Sequence, residues 1–76
     1  MFDGKTSMHD FCKIMQADGP VFRRAKNANK SLGGMLRQIQ GSAPKAGEPV
    51  MIKPFTFIVE KIDNRRIKKV RVVLNE

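Results

Sequence analysis

The 76 residues predict an α+β domain in which two helices pack on a mostly antiparallel sheet. Three observations carry this. Apolar residues recur at i, i+3, i+4 and i+7 twice in the first half, at Met8, Phe11, Cys12 and Met15 and again at Leu32, Met35, Leu36 and Ile39, which is one buried stripe on each of two helices. The second half switches to period two, with Phe55, Phe57 and Val59 and then Val70, Val72 and Leu74 on alternate positions, the pattern of strands with one covered face. The length holds one core only, since a chain of this size buries about 60% of the surface it exposes when unfolded.

The elements follow in order. Met1 and Phe2 before the Asp3-Gly4 turn read as the stub of a strand whose beginning lies upstream, so residues 1–76 are expected to be a single domain excised from a larger protein. Thr6 or Ser7 can cap the first helix, with Asp10 three residues after Ser7 completing a capping box. The stripe sets this helix at about 7–16, and Asp18-Gly19-Pro20 is expected to end it through a left-handed glycine and a proline. VFRRAKNANK, residues 21–30, is highly charged with weak periodicity, and reads as a connecting loop with Val21 or Phe22 turned inward. Ser31 caps the second helix, about 31–40, and Gly41 stands where a C-terminal glycine belongs. Gly33 and Gly34 in its first turn cost about 1 kcal/mol each relative to Ala, and close backbone packing is the expected reason. SAPKAGEP is a loop, with Pro44, Gly47 and Pro49 as turn formers. Val50–Ile52 is a short strand, Lys53-Pro54 a bend and Phe55–Ile62 a strand. Asp63-Asn64 is the hairpin turn and Ile67–Leu74 the returning strand. Ile67 is out of phase with Val70, Val72 and Leu74, which predicts a bulge or twist near Lys68-Lys69.

Composition narrows the function. The net charge of +8 is unevenly placed: residues 1–20 sum to −1, 21–45 to +6 without a single acid, and 46–76 to +3. Such a patch attracts acidic protein, nucleic acid or anionic lipid, and Arg23, Arg24, Lys26 and Lys30 are the candidate interaction residues. The single cysteine makes no internal disulfide, and there is neither a signal peptide nor an apolar run of the about 18 residues a membrane span needs. A reducing cytosolic setting is the simplest expectation.

Catalytic groups are missing in pattern. His9, the only histidine, falls on the charged side of the first helix, and Cys12 falls on the buried stripe, where a small hydrophobe is the ordinary role. Neither forms a nucleophile and base pair, so no enzyme is expected. Two ligands at i, i+3 do not make a metal site, and GSAPKAGE lacks the Gly-Lys-Ser/Thr order of a P-loop. The competing function is a basic nucleic-acid binder, using residues 21–30 and the RRIKKVR run from Arg65 to Arg71. A single-strand binder sets exposed aromatics among such charges. Here all five aromatics are Phe, with Phe55, Phe57 and Phe11 at core spacing, so nucleic acid is the weaker reading.

The run SLGGMLRQIQGSAPKAGEPV, followed by FTFIVEKIDNRRIKKVRV, resembles the transporter-associated domain at the C-terminus of CorC/HlyC-type proteins, bacterial membrane proteins linked to magnesium and cobalt efflux and loosely called hemolysins. DGKTSMHDFCKIM resembles that family's first strand, turn and helix. The motif falls on Leu32, Gly33, Gly34, Gly41, Pro44, Lys45, Gly47, Glu48, Arg66, Ile67, Lys68, Val70, Arg71 and Val72. The resemblance implies a fold shared with one domain of FAD-binding oxidases, carried behind a transmembrane domain and a CBS pair. It implies a non-catalytic regulatory role on the cytoplasmic side of the bacterial inner membrane. The implied partners are those parent domains, with a homodimer and a nucleotide-like or flavin ligand as further openings. No cofactor is expected from the residues themselves, which contain no glycine-rich pyrophosphate cradle. The chain departs from the family in FRRAKNANK, a segment that is usually acidic in relatives, and in its shortened first strand.

Overall fold

The computed structural model describes residues 1–41, 45–64 and 66–75. Along the chain run β1 (Phe2–Asp3), α1 (Met8–Met15), α2 (Pro20–Asn27), α3 (Leu32–Gln40), β2 (Pro49–Ile52), β3 (Phe55–Asp63) and β4 (Arg66–Leu74). The strands form one antiparallel sheet in the order β1-β4-β3-β2. The stub at Phe2 is thus a strand, and it lies against Lys69 and Val70 of β4.

The helices cover one face of this sheet. Met8, Phe11 and Cys12 of α1, Phe22 and Ala25 of α2, and Leu32, Met35 and Leu36 of α3 meet Phe55, Phe57, Val59, Ile67 and Val70 in a single core. Phe11 is at its centre, with ring centroids 5.2 Å from Phe2, 5.6 Å from Phe57 and 6.0 Å from Phe55, spacings at which aromatic rings attract beyond simple area burial. Every side chain of this core is apolar, so it rests on apolar burial and close packing; outside it, half-buried Gln40 keeps its amide nitrogen and oxygen covered without a hydrogen-bond partner among the described residues.

Two sequence expectations are corrected here. Residues 20–27 are a helix, not a loop, because Phe22 and Ala25 at i, i+3 supply a short inward face that the flanking charges obscure. Pro20 starts this helix, where its missing amide donor costs nothing, and Gly19 is its N-cap in extended backbone. What ends α1 is Gln16, which takes the left-handed conformation (φ 53°) with its amide donating to the Cys12 carbonyl.

The caps agree with the sequence. Ser7 Oγ accepts from the Asp10 amide at 3.1 Å and Ser31 Oγ from the Gly34 amide at 3.0 Å. Both helix starts are then clamped to each other: the Met8 amide donates to the Lys30 carbonyl at 2.9 Å, and the Leu32 amide to the Thr6 carbonyl at 2.7 Å. Gly41 ends α3 with φ 91°.

The strand irregularity is where the phase of Ile67 requires it. Val59 pairs with Val70, Lys61 with Lys69 and Ile62 with Ile67, so Glu60 and Lys68 are extra residues in their strands. The extra residue at Lys68 returns Ile67 to the core face beside Val70. Val72 is half-buried against the core, while Leu74, expected on the same face, is exposed. Asp63 still pairs, with Arg66, so the hairpin reversal begins one residue later than expected, at Asn64 with φ 50°.

Candidate interaction surface

The acid-free middle of the chain is turned into a surface by α2. Its inward face is Phe22 and Ala25, and the 100° step per residue then places Arg23 and Arg24 outward. Arg23 is engaged locally, its Nε donating to Asp18 at 2.9 Å, an exposed pair worth at most about 1 kcal/mol. Among the described residues no carboxylate lies within ion-pair distance of Arg24, Lys26 or Lys30.

Between α2, α3 and β2 lies a groove of about 700 Å³. Its lining is mostly apolar, and Val21, Ile39 and Met51 within it are 40%, 47% and 68% exposed. Arg24, Lys30 and Gln38 are its polar lining residues. Two of the four candidate interaction residues therefore share one concave feature, while Arg23 is held by Asp18 and Lys26 is half-buried outside the groove lining. The apolar part was hidden in sequence. Ile39 sits on the predicted core stripe, yet it lies outside the core and lines the groove. Met51 alternates outward from buried Val50, and that alternation was the readable signal.

The family-motif positions divide into framework and surface. Leu32, Gly33, Ile67 and Val70 are buried and Val72 half-buried. A Cβ on Gly33 would stand 3.0 Å from the Gly4 carbonyl oxygen and 3.3 Å from Ile67, so close packing explains this glycine. It does not explain Gly34, where a Cβ would meet only the Ser31 hydroxyl, at 3.1 Å. Gly41 and Gly47 both have positive φ, and the Gly47 amide ties its loop to the Val59 carbonyl at 2.7 Å. Lys45 and Glu48 are exposed beside it, and Pro44 lies outside the described residues. Arg71 Nε donates to Glu60 at 3.1 Å. Arg66 and Lys68 line a second, smaller cleft together with Gly33 and Gly34.

The groups with chemical potential stand apart. His9 is exposed, and Cys12 is buried, with its thiol pushed to higher pKa chiefly by desolvation. Among the described residues no three His, Cys, Asp or Glu side chains converge as metal ligands. Phe11, Phe22, Phe55 and Phe57 are each at most 2% exposed, so these rings cannot stack on bases. No helix among the described residues is long and apolar enough to cross a membrane.

A small sheet covered on one side by helices, with a partly basic groove on its surface, defines an α+β domain. The chain belongs to the CorC/HlyC transporter-associated domain family, whose model matches residues 1–76. It is 30% identical over 73 residues to a UPF0053 protein of Buchnera aphidicola, covering 96% of this chain and 13% of that protein's length. Solved transporter-associated domains share the fold. One from Nitrosomonas europaea is 28% identical with a TM-score of 0.81, over 97% of this chain and 83% of that one. Another, from a CBS domain protein of Porphyromonas gingivalis, is 26% identical with a TM-score of 0.79, over 99% and 86%. The expected family and α+β fold class are thereby established, with a third helix added.

Proposed function

We propose that this domain is a non-catalytic regulatory part of a bacterial membrane protein linked to magnesium and cobalt efflux. In this reading it lies on the cytoplasmic side of the inner membrane, beside the CBS domains of its parent. The family match along all of residues 1–76 carries the proposal. The groove between α2, α3 and β2 supplies the means: exposed Val21, Ile39 and Met51 offer apolar contact, and Arg24 and Lys30 select an acidic, partly apolar surface of the parent protein.

The test is a cell lacking the transporter, complemented with the full-length parent. Deleting this domain, or reversing charge with Arg24→Glu and Lys30→Glu, is expected to change tolerance to magnesium and cobalt while leaving the amount of membrane-inserted protein unchanged. Tolerance identical to that of the intact parent in both cases would overturn the proposal. Against the nucleic-acid reading stands the burial of four of the five phenylalanines. What charge alone predicts is weak binding that falls steeply with salt.

A further inference from the structure

The smaller cleft has a composition that the regulatory reading leaves unused. It encloses about 250 Å³ between the turn after β1, the first turns of α3 and the start of β4. Among the described residues four cations line it, Lys5, Arg37, Arg66 and Lys68, and no carboxylate does. They come from three separate parts of the chain, brought together by tertiary contacts. The Gly4 amide donates to the Lys68 carbonyl at 2.8 Å and the Gly33 amide to the Gly4 carbonyl at 2.9 Å, which ties turn, helix and strand into one rigid frame.

Like charges held this close repel one another, and among the described residues none of the four forms an ion pair. The nearby acids offset them only in part. Asp3 feels the charge of Lys5 and Lys68 but bonds to its own backbone, accepting from the Lys5 amide at 2.8 Å, and Asp63 lies across the hairpin from Arg66; neither carboxylate forms an ion pair with a cleft cation among the described residues. Gly34 adds a second, independent observation. Glycine inside a helix costs about 1 kcal/mol relative to Ala, and no core contact demands it here: a Cβ would press only on the Ser31 capping hydroxyl, at 3.1 Å, a side chain that can give by a few tenths of an ångström. The effect of the glycine is to leave the cleft open along the bare first turn of α3. The amides of Leu32, Gly33 and Gly34 are all spent on Thr6, Gly4 and Ser31, so any anion would be held by the side-chain cations.

We propose that this cleft binds a phosphoryl group, held by Lys5, Arg37, Arg66 and Lys68 and admitted by the missing side chain of Gly34. Paired guanidinium groups suit the fork geometry of phosphate oxygens. The volume is below the about 300–1,000 Å³ of sites that enclose drug-sized ligands, which fits a phosphate or pyrophosphate moiety and leaves a nucleobase outside. That moiety belongs either to a soluble phosphate compound or to the headgroup of an anionic lipid.

Inorganic pyrophosphate titrated into the 15N-labelled chain, followed by amide NMR, tests the site. Saturable shifts are expected at Gly33, Gly34 and Lys68. Gly34→Leu keeps every charge but fills the cleft, and Arg37→Gln with Arg66→Gln removes two cations on exposed side chains. Each is expected to weaken binding by about tenfold or more. Arg24→Gln with Lys26→Gln, the same change of net charge away from the cleft, is expected to weaken it less than about twofold. Vesicles of phosphatidylglycerol, with phosphatidylcholine as control, separate the two sources: flotation that pyrophosphate competes away and Gly34→Leu abolishes assigns the lipid headgroup, and its absence beside saturable pyrophosphate shifts assigns a soluble ligand. Absence of saturable shifts, or equal weakening by the cleft and control pairs, would overturn the proposal. The cation tolerance of the parent is read separately, so failure here leaves the regulatory reading to its own test.

Discussion

Gly4 is the residue on which the frame depends most directly. A Cβ there would be driven into the Ile67 carbonyl oxygen, a backbone atom that cannot step aside. Gly4→Ala is therefore expected to lower stability by about 3 kcal/mol or more, a large share of the few kcal/mol that hold a domain this size, as read from urea unfolding. Gln16 is the opposite case. It holds a left-handed conformation that costs a side-chain residue about 1–2 kcal/mol, so Gln16→Gly is expected to raise the unfolding free energy by about 0.5–1 kcal/mol after the added entropy of the unfolded chain, read as a higher urea midpoint. Asp3 sets a pH dependence. Its carboxyl is held below the ordinary range by the bond from the Lys5 amide and then by the positive charge of Lys69, Lys5 and Lys68. A carboxyl lowered in the folded state contributes stability above its unfolded pKa and loses it as pH falls through the folded value. Asp3→Asn is thus expected to narrow the stability gap to the parent chain as the pH drops below about 4, where the unfolded carboxyl protonates.

Helix α2 is held by one large side chain. Eight residues are too few for an isolated helix to persist in water, and of its side chains only Phe22 and Ala25 are buried. Phe22→Ala is expected to cost about 3–5 kcal/mol and to loosen α2 preferentially, seen as faster amide exchange over 20–27. Asp18→Ala, which removes the exposed partner of Arg23, should change stability by less than about 1 kcal/mol. This contrast explains why residues 21–30 read as a loop. A two-residue inward face among six charged or amide side chains gives almost no periodic signal, whereas α1 and α3 each display a full stripe. The strands were legible for the reason the helices at either end were, because alternation on a one-sided sheet survives even a bulge, and Ile67 out of phase located that bulge at Lys68.

For the molecule as a whole, the charge of +8 acts through where the fold puts it. The sequence showed an acid-free middle segment but not that Arg24 and Lys30 would flank an apolar groove, nor that Lys5, Arg37, Arg66 and Lys68 would surround a cleft. With most aromatic rings buried, affinity for single-stranded DNA is expected to be electrostatic alone: measurable at low salt, falling steeply toward physiological salt, and equal for all base sequences. Salt-resistant or sequence-selective binding would contradict this. Fold class, both capped helices, the hairpin and the family were open to reading from the chain because they rest on local chemistry: cap hydrogen bonds, side-chain period and ordered motifs. Helix α2, the exposure of Ile39 and the two basic hollows were decided only in three dimensions, since each depends on which distant segments pack together, and Gly33 against Gly4 and Ile67 is the contact that brings the cleft's three walls into one place.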